Sequence, residues 1–569
     1  MPDHARALSK IYENRKNFIV IGITGRTGAG CTSAASIFSK NQSENKFPVP
    51  DPKQSAEDRK YQLCYNYIQK NWSKFYLIEI KNIITSFIVE NAYDDFIKYL
   101  INLFPSNHNV ESKISPIKAK YDELHHSRME LNKLKHERSD NELILKRREL
   151  SYQFYFKELP EFTDTLKKSL SELSEESYIK VYQKIGDNIR KSGLALSDKY
   201  DSENIFRIPI RINKIIKLLR KKNNKGQTCV VLDALRNPFE AIYFRERYSA
   251  FYLISINALD KDRIKRLQTV NNLNNSQIKE IDDKEYPDKL EGINFFTSQN
   301  IQQCIDFSDI HLNNNTIGKE DYSELKKQIV RYVALIMHPG IVTPSHEERC
   351  MQIAYNAKLN SGCMSRQVGA LVCDKNFNIK SIGWNCVPKG QISCSLRSVK
   401  DLINNEDKKA FSNYENNDDN FRAKLKEMYS CKVDSNDVEK KLNGLNLAFC
   451  FKTVQNKIDD EKNQVHTRAM HAEENAFIQI AKNGGVGVEG GILFSTASPC
   501  ELCSKKAYQI GISKIIYIDP YPGIAVSHIL DSGTNKPVLK LFSGAIGRAY
   551  TQLYESILPY KDEIELLIE

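Results

Sequence analysis

The stretches HAEENA (residues 471–476) and SPCELC (498–503) hold the side chains best suited to chemistry. Cys500 and Cys503, spaced C-x-x-C on the first turn of an expected helix, can both face one metal ion. His471 adds an imidazole. Three protein ligands leave a fourth position open for water, as a catalytic zinc requires. Helix N-termini at such a site favour thiolate charge. Glu473 stands two residues from His471 and can reach that water without ligating. Its expected role is general acid and base, taking a proton from water and passing it to a departing amine.

Other uses of the cysteines compete. Cys500 and Cys503 could form a redox pair, but the upstream His-x-Glu has no place in that chemistry. They could hold a structural zinc with a further cysteine, but then Glu473 has no purpose. Cys363, Cys386, Cys394, Cys431, Cys450 and His466 could in part form a second, structural site, although their spacing is irregular.

A second motif lies at the other end of the chain. GITGRTGAGCTS (22–33) follows an apolar run and matches the phosphate-cradling loop G-x-x-x-x-G-K-[ST] at Gly25, Gly30 and Thr32, with Gly28 between. Cys31 stands in the lysine position. Cysteine cannot neutralise β- and γ-phosphates, so phosphoryl transfer is not expected. Backbone N–H groups and a helix N-terminus can still bind phosphate, with Thr32 and Asp233 placed to assist Mg²⁺. The expectation is a regulatory nucleotide site formed by Gly25, Gly28, Gly30, Cys31, Thr32, Asp233 and Arg236. Arg26, Arg236, Arg263 or Arg266 could stand in for the lysine, and a plain glycine-rich turn is the alternative.

These motifs need scaffolds. With 569 residues and 41% apolar content, two or more domains are expected. Strands expected at 17–24, 75–80, 228–233 and 250–258, alternating with helices, imply an α/β parallel sheet. An amphipathic helix is expected over 84–104 and a long helix or helical hairpin over 118–157. The polar stretch 271–292 reads as a loop-rich insertion. Beyond it come a helix near 347–361, a strand pair at 366–385, a helix at 472–482, a strand ending at 498, a helix from Cys500 and a strand at 514–519. The domains read as 1–330, with a helical insertion at about 84–200, and 331–569, with a polar insertion at about 389–465. The net charge of +11 suits a phosphate-bearing partner, or is a solvated surface. No signal peptide or membrane-length apolar run is evident, and thirteen scattered cysteines argue against a disulfide framework, so a cytoplasmic setting is expected.

CMSRQVGALV (363–372), IGWNCVPKG (382–390), HAEENA and PCELC together resemble the deoxycytidylate deaminases. H-x-E with P-C-x-x-C is the zinc deaminase signature. The resemblance covers about 343–388 and 466–555. It implies a cytidine-deaminase-like three-layer αβα domain and hydrolysis of dCMP or dCTP to the uracil nucleotide and ammonia. It places Asn385 and Asn475 near the sugar and Arg366 and Arg548 near the phosphates, with Ala472 and Tyr517 also at the substrate. The segment Tyr517 to Tyr521 resembles the family's Y-x-x-x-Y. The N-terminal half resembles P-loop deoxynucleotide kinases, through the loop and through 182–193 and 232–246. The pairing resembles a bacterial anti-phage deaminase family, which implies depletion of a nucleotide pool, homo-oligomers from dimer to hexamer and an inhibitory partner RNA. Deamination of cytosine in single-stranded DNA or RNA is the alternative activity, and an RNA-regulated binding protein the nonenzymatic one.

Overall fold

FIVIGIT has no polar face, so it reads as a strand covered on both sides. In the computed structural model of the chain it is β1 (Phe18–Thr24), buried after its first residue. The structure describes residues 3–568 except 52–53, 135–140, 175, 225, 271, 288–289, 316–321, 434–435, 462, 486 and 520–523. Tyr521 and part of the expected 118–157 hairpin lie outside the described residues, as does the side chain of Cys431.

The chain divides into two units, Met1–Thr343 with Arg548–Glu569, and Pro344–Gly547. The sequence reading put the division at 330/331 and left the C-terminus in the second domain. Residues 548–569 instead belong to the first unit. There the Glu563 carboxylate accepts from Tyr12 Oη at 3.2 Å and meets His338 Nε2 at 2.6 Å.

In the first unit β1 is joined by β2 (Tyr76–Glu79), β3 (Thr228–Asp233), β4 (Phe251–Asn257) and β5 (Ile310–Asn313). All four pairings are parallel, in the order β5-β4-β1-β3-β2. The Gly-rich loop leaves β1 and enters α1 (Cys31–Ser39). The expected helix over 84–104 is two helices, α2 (Ile80–Ile88) and α3 (Tyr93–Leu103). Beyond them lie α4 (Lys118–Lys133), α5 (Asn141–Gln153) and α6 (Arg207–Lys222). Residues 271–292, read as loop-rich, contain α7 (Asn275–Glu285). Asn274 and Gln277 close a capping box at its start, which offsets the polar composition.

The second unit is built on a five-stranded sheet of β6 (Gly369–Cys373), β7 (Ile379–Trp384), β8 (Ile492–Ala497), β9 (Lys514–Asp519) and β10 (Val538–Leu541). Their order is β10-β9-β8-β6-β7, with β6 antiparallel to both neighbours and the rest parallel. Helix α8 (His346–Lys358) packs on this sheet, and so does α10 (Ala472–Lys482). Gly383 sets the second contact. A Cβ there would collide with the Ala472 carbonyl oxygen and approach the Ala476 nitrogen to 2.5 Å.

The insertion at 389–465 was expected to be weakly patterned, yet it has a core of its own. Val399, Leu402, Phe421, Leu425, Phe449 and Val454 are fully buried in it. Arg397, also fully buried, pairs with Glu415, and its guanidinium lies 4.9 Å from each of the Phe411 and Phe449 rings. The insertion ends in α9 (Phe451–Ile458). Phe421→Ala is expected to destabilise it by about 3–5 kcal/mol. Hydrogen exchange should then accelerate in amides of 419–429 and 451–458 and stay unchanged in β6 and β8.

Candidate active site

Two helix starts meet at one point. His471 is the N-cap of α10, and Cys500 is the N-cap of α11 (Glu501–Gln509), with Cys503 on its first turn. His471 Nδ1 lies 3.3 Å from Cys500 Sγ and 3.4 Å from Cys503 Sγ. The three donor atoms all lie within 4.8 Å of one another. One imidazole and two thiols at this spacing match zinc's preferred donors. A hydrogen bond from Cys503, with a further one from His471, holds the Cys500 thiol down to about 3. The same sulfur–sulfur bond and burial push Cys503 up. The thiolate charge thus falls on Cys500.

Glu473 is on the first turn of α10 and buried, at 4% exposure. Burial raises its carboxyl above the usual range. Ser495, on β8, donates to Glu473 Oε1 at 2.9 Å and fixes the carboxyl's rotation. Burial and a fixed orientation suit a group that carries a proton.

His471, Ala472, Glu473 and Cys500 open onto a cavity of about 420 Å³, a volume that fits one small ligand. Arg366 and Asn385 also line it, whereas Asn475 and Tyr517 do not. Asn385 is fully engaged at both ends of its amide. It accepts from Val368 N at 2.8 Å and donates to the Arg366 carbonyl at 2.7 Å. Asn475 donates to the Trp384 carbonyl at 3.0 Å. The two asparagines thus brace the turn after β7. Tyr517 is buried within β9. Arg548, expected at the phosphates, belongs to the first unit. Its guanidinium is held there by Asp309 at 3.0 Å and by the Phe251 carbonyl at 2.6 Å.

The cavity wall also includes residues that sequence reasoning did not select. Phe451, Lys452 and Gln464 come from the insertion, and Arg468 follows it. Arg366 is neutralised by the buried Asp519 at 2.8 Å. Among the described residues Lys452 meets only the neutral Gln464 amide, at 2.9 Å. Arg468 donates to the Ile392 carbonyl at 3.1 Å and to Gln391 at 3.2 Å. Lys452 and Arg468 therefore keep their charge on the cavity. Among the described residues the other cysteines and His466 form no second cluster with metal-ligand spacing.

The Gly-rich loop is the other candidate site. Gly25, Gly28 and Gly30 all have positive φ. A Cβ at Gly30 would collide with the Asn314 side-chain amide. Thr32 bonds the Asp233 carboxyl, which burial raises to about 6. Burial pushes the Cys31 thiol up to about 12, so it stays neutral. Thr27 N donates to Glu285 Oε2 at 3.0 Å, and Arg236 pairs with the same carboxylate. Glu285, at the end of α7, is fully buried. Each arginine considered as a lysine substitute is engaged. Arg26 binds Asp260 at 2.6 Å and Asp282 at 2.9 Å. Arg263 forks onto Asp282 at 2.9 and 2.6 Å. Arg266 donates to the Gly28 and Ala29 carbonyls at 3.2 and 3.3 Å.

Residues 344–519 match the family model of the cytidine and deoxycytidylate deaminase zinc-binding region. The chain is 29% identical over 172 residues to the deoxycytidylate deaminase of Enterobacteria phage T2, covering 30% of this chain and 78% of that one. It is 29% identical over 175 residues to the phage T4 deoxycytidylate deaminase, covering 30% and 76% respectively. The crystal structure of dCMP deaminase from the cyanophage S-TIM5 in apo form aligns with 35% of this chain and all of that one, at 21% identity and a TM-score of 0.20. The C-terminal region thus carries a deaminase domain of the cytidine and deoxycytidylate kind. No helix of the described residues is long and apolar enough to cross a membrane. Purified protein is expected to hold about one zinc per chain, falling to a small fraction in Cys500→Ala and in His471→Ala. Metal analysis by mass spectrometry checks this.

Proposed function

We propose that the second unit is a zinc-dependent hydrolase that converts dCMP to dUMP and ammonia. The observation that carries this reading is the His471, Cys500 and Cys503 cluster beside buried Glu473 on one cavity, in the region matched by the deaminase model. A zinc on these three side chains supplies Lewis acidity that makes water a nucleophile at neutral pH. Glu473 takes one proton from the attacking water on a carboxylate oxygen and delivers it to the ring nitrogen N3, then takes the second from the new C4 hydroxyl and passes it to the leaving amine as the C4 carbonyl forms. Water adds at C4, the C4–N bond breaks, and the products are the uracil nucleotide and ammonia. Ser495 keeps the carboxylate aimed during both transfers. Lys452 and Arg468 give the cavity a positive field for a phosphate, more than Arg366, whose charge Asp519 cancels. The same field suits dCTP, which is the finer reading of the substrate. Pool depletion against phage, an inhibitory RNA and a homo-oligomer rest on the resemblance of the motifs.

The Gly-rich loop is read as a regulatory nucleotide site that binds without transferring phosphate. Its support is the positive-φ glycines, the Thr32–Asp233 pair and a parallel sheet with β1 at its centre. Neutral Cys31 offers no charge to a transition state. A phosphate entering this loop must displace Glu285 from Thr27 N and Arg236.

Zinc-loaded protein should release ammonia from dCMP, and Glu473→Ala should slow this by about 100-fold or more. A panel of dCMP, dCTP, CMP, CTP and a cytosine-containing single strand makes the test. Activity on the strand alone overturns the nucleotide reading. For the loop, Glu285→Gln should tighten nucleotide binding by about ten-fold, because it removes a competing charge from Arg236. Calorimetry with ATP and dTTP measures this, and unchanged or weaker binding refutes the displacement reading.

A further inference from the structure

Helices α4, α5 and α6 of the first unit line a second, half-open cleft of about 700 Å³, which the proposed reaction does not use. Its basic residues follow helical spacing. On α6, Arg207, Arg211, Lys214 and Lys221 share one stripe. On α5, Arg147 and Arg148 sit on the same side as Ile144 and Ser151. Lys217 completes the lining from α6.

The cavity holds eight basic side chains and one acidic side chain, Glu90. Glu90 is already committed. It accepts from Arg211 at 2.8 Å and pairs closely with Arg128 as well. Burial alone would raise its carboxyl, but Arg211 and Arg128 hold it below the usual range. Arg147, Arg148, Arg207, Lys214, Lys217 and Lys221 have no carboxylate within ion-pair distance among the described residues. Desolvation and the neighbouring Arg207, Arg211 and Arg128 lower the Lys214 ammonium. Like charges gathered this closely repel one another, and a bound polyanion relieves that repulsion.

The lining is not purely ionic. Met129, Ile144, Ile210 and Leu218 give it apolar surface, and Tyr155 places a ring beside Arg128, whose Nη1 donates to Tyr155 Oη at 3.3 Å. Guanidinium forks suit phosphate oxygens, and the apolar surface suits an attached group. A concave site of this volume matches a discrete small molecule.

We propose that this cavity binds a small polyphosphate anion of nucleotide size, with Arg148, Lys214 and Lys217 as its main phosphate contacts. The site is separate from the Gly-rich loop and from the Glu473 cavity, since it shares no residue with either.

Calorimetry on the full-length, zinc-loaded protein tests this with sodium tripolyphosphate, ATP and a single-stranded RNA oligonucleotide as probes. Tripolyphosphate and ATP should bind and compete, with affinity falling as salt rises. Arg148→Glu with Lys217→Glu should weaken both by at least about ten-fold, and should do so equally in an Arg236→Ala background, which removes the loop's own contact. Both altered residues in the cavity variant are at least partly exposed, and a native melting temperature would confirm folding. Equal binding by the cavity variant overturns the proposal, as does binding lost only in Arg236→Ala. Cavity-dependent binding of the RNA without any binding of tripolyphosphate also overturns it and assigns the surface to nucleic acid.

Discussion

The meeting of two helix N-termini is the constraint on which the second unit depends. α10 starts at His471 and α11 at Cys500, so both donor groups sit where the peptide dipoles favour negative charge. The positions of those starts are set by the sheet. β8 delivers the chain to Cys500 and also presents Ser495 to Glu473. β7 approaches α10 so closely that only glycine fits at 383. A side chain there would move α10 and, with it, both His471 and Glu473. A residue without a side chain thereby sets where His471 and Glu473 stand against the sheet.

The insertion changes what the cavity can select. Arg397, stacked against two phenylalanines and paired with Glu415, is a buried charge with one partner. Removing either member of such a pair leaves an uncompensated ion, so the local fold is sharply defined. That order matters because α9 begins at the cavity wall with Phe451 and Lys452. The catalytic chemistry lies on the sheet, while part of the electrostatic field at the substrate comes from a segment with its own core. On the proposed reading, substrate charge preference and the reacting groups are carried by structurally separate parts of one unit.

How far the sequence disclosed this depends on the range of each interaction. Strands such as FIVIGIT and TCVVLD are legible because continuous apolar residues permit few other placements. His471, Glu473, Cys500 and Cys503 are legible because their spacing along two helices is local. The insertion's core was not, since Val399, Phe421 and Phe449 stand far apart in polar surroundings and show no single period. Lys452 and Arg468 resemble any surface cations until the fold turns them toward the cavity. Asn385 and Asn475 carry motif identities, yet the Asn385 amide is engaged by backbone at both ends and Asn475 donates to Trp384 and Cys386, which only the geometry discloses. Arg548 shows the reverse case, with a plausible residue type committed to Asp309.

Glu285 was the residue furthest from view. It lies 258 positions from Thr27 in a stretch whose composition suggested a loop, and the Asn274–Gln277 capping box was the one local sign of a helix. Its effect on the Gly-rich loop follows from charge. A carboxylate that accepts from a loop N–H and pairs with Arg236 satisfies the same groups that a phosphate would. Being tethered, it competes at a high effective concentration, whereas a free ligand arrives by diffusion. A single phosphate offers little beyond what Glu285 already provides. A ligand that also engages Thr32 and Asp233 gains contacts that Glu285 does not make. On the nucleotide reading, the missing lysine and the internal carboxylate act together: one removes the charge that drives phosphoryl transfer, and the other restricts entry to ligands that reach beyond the first phosphate.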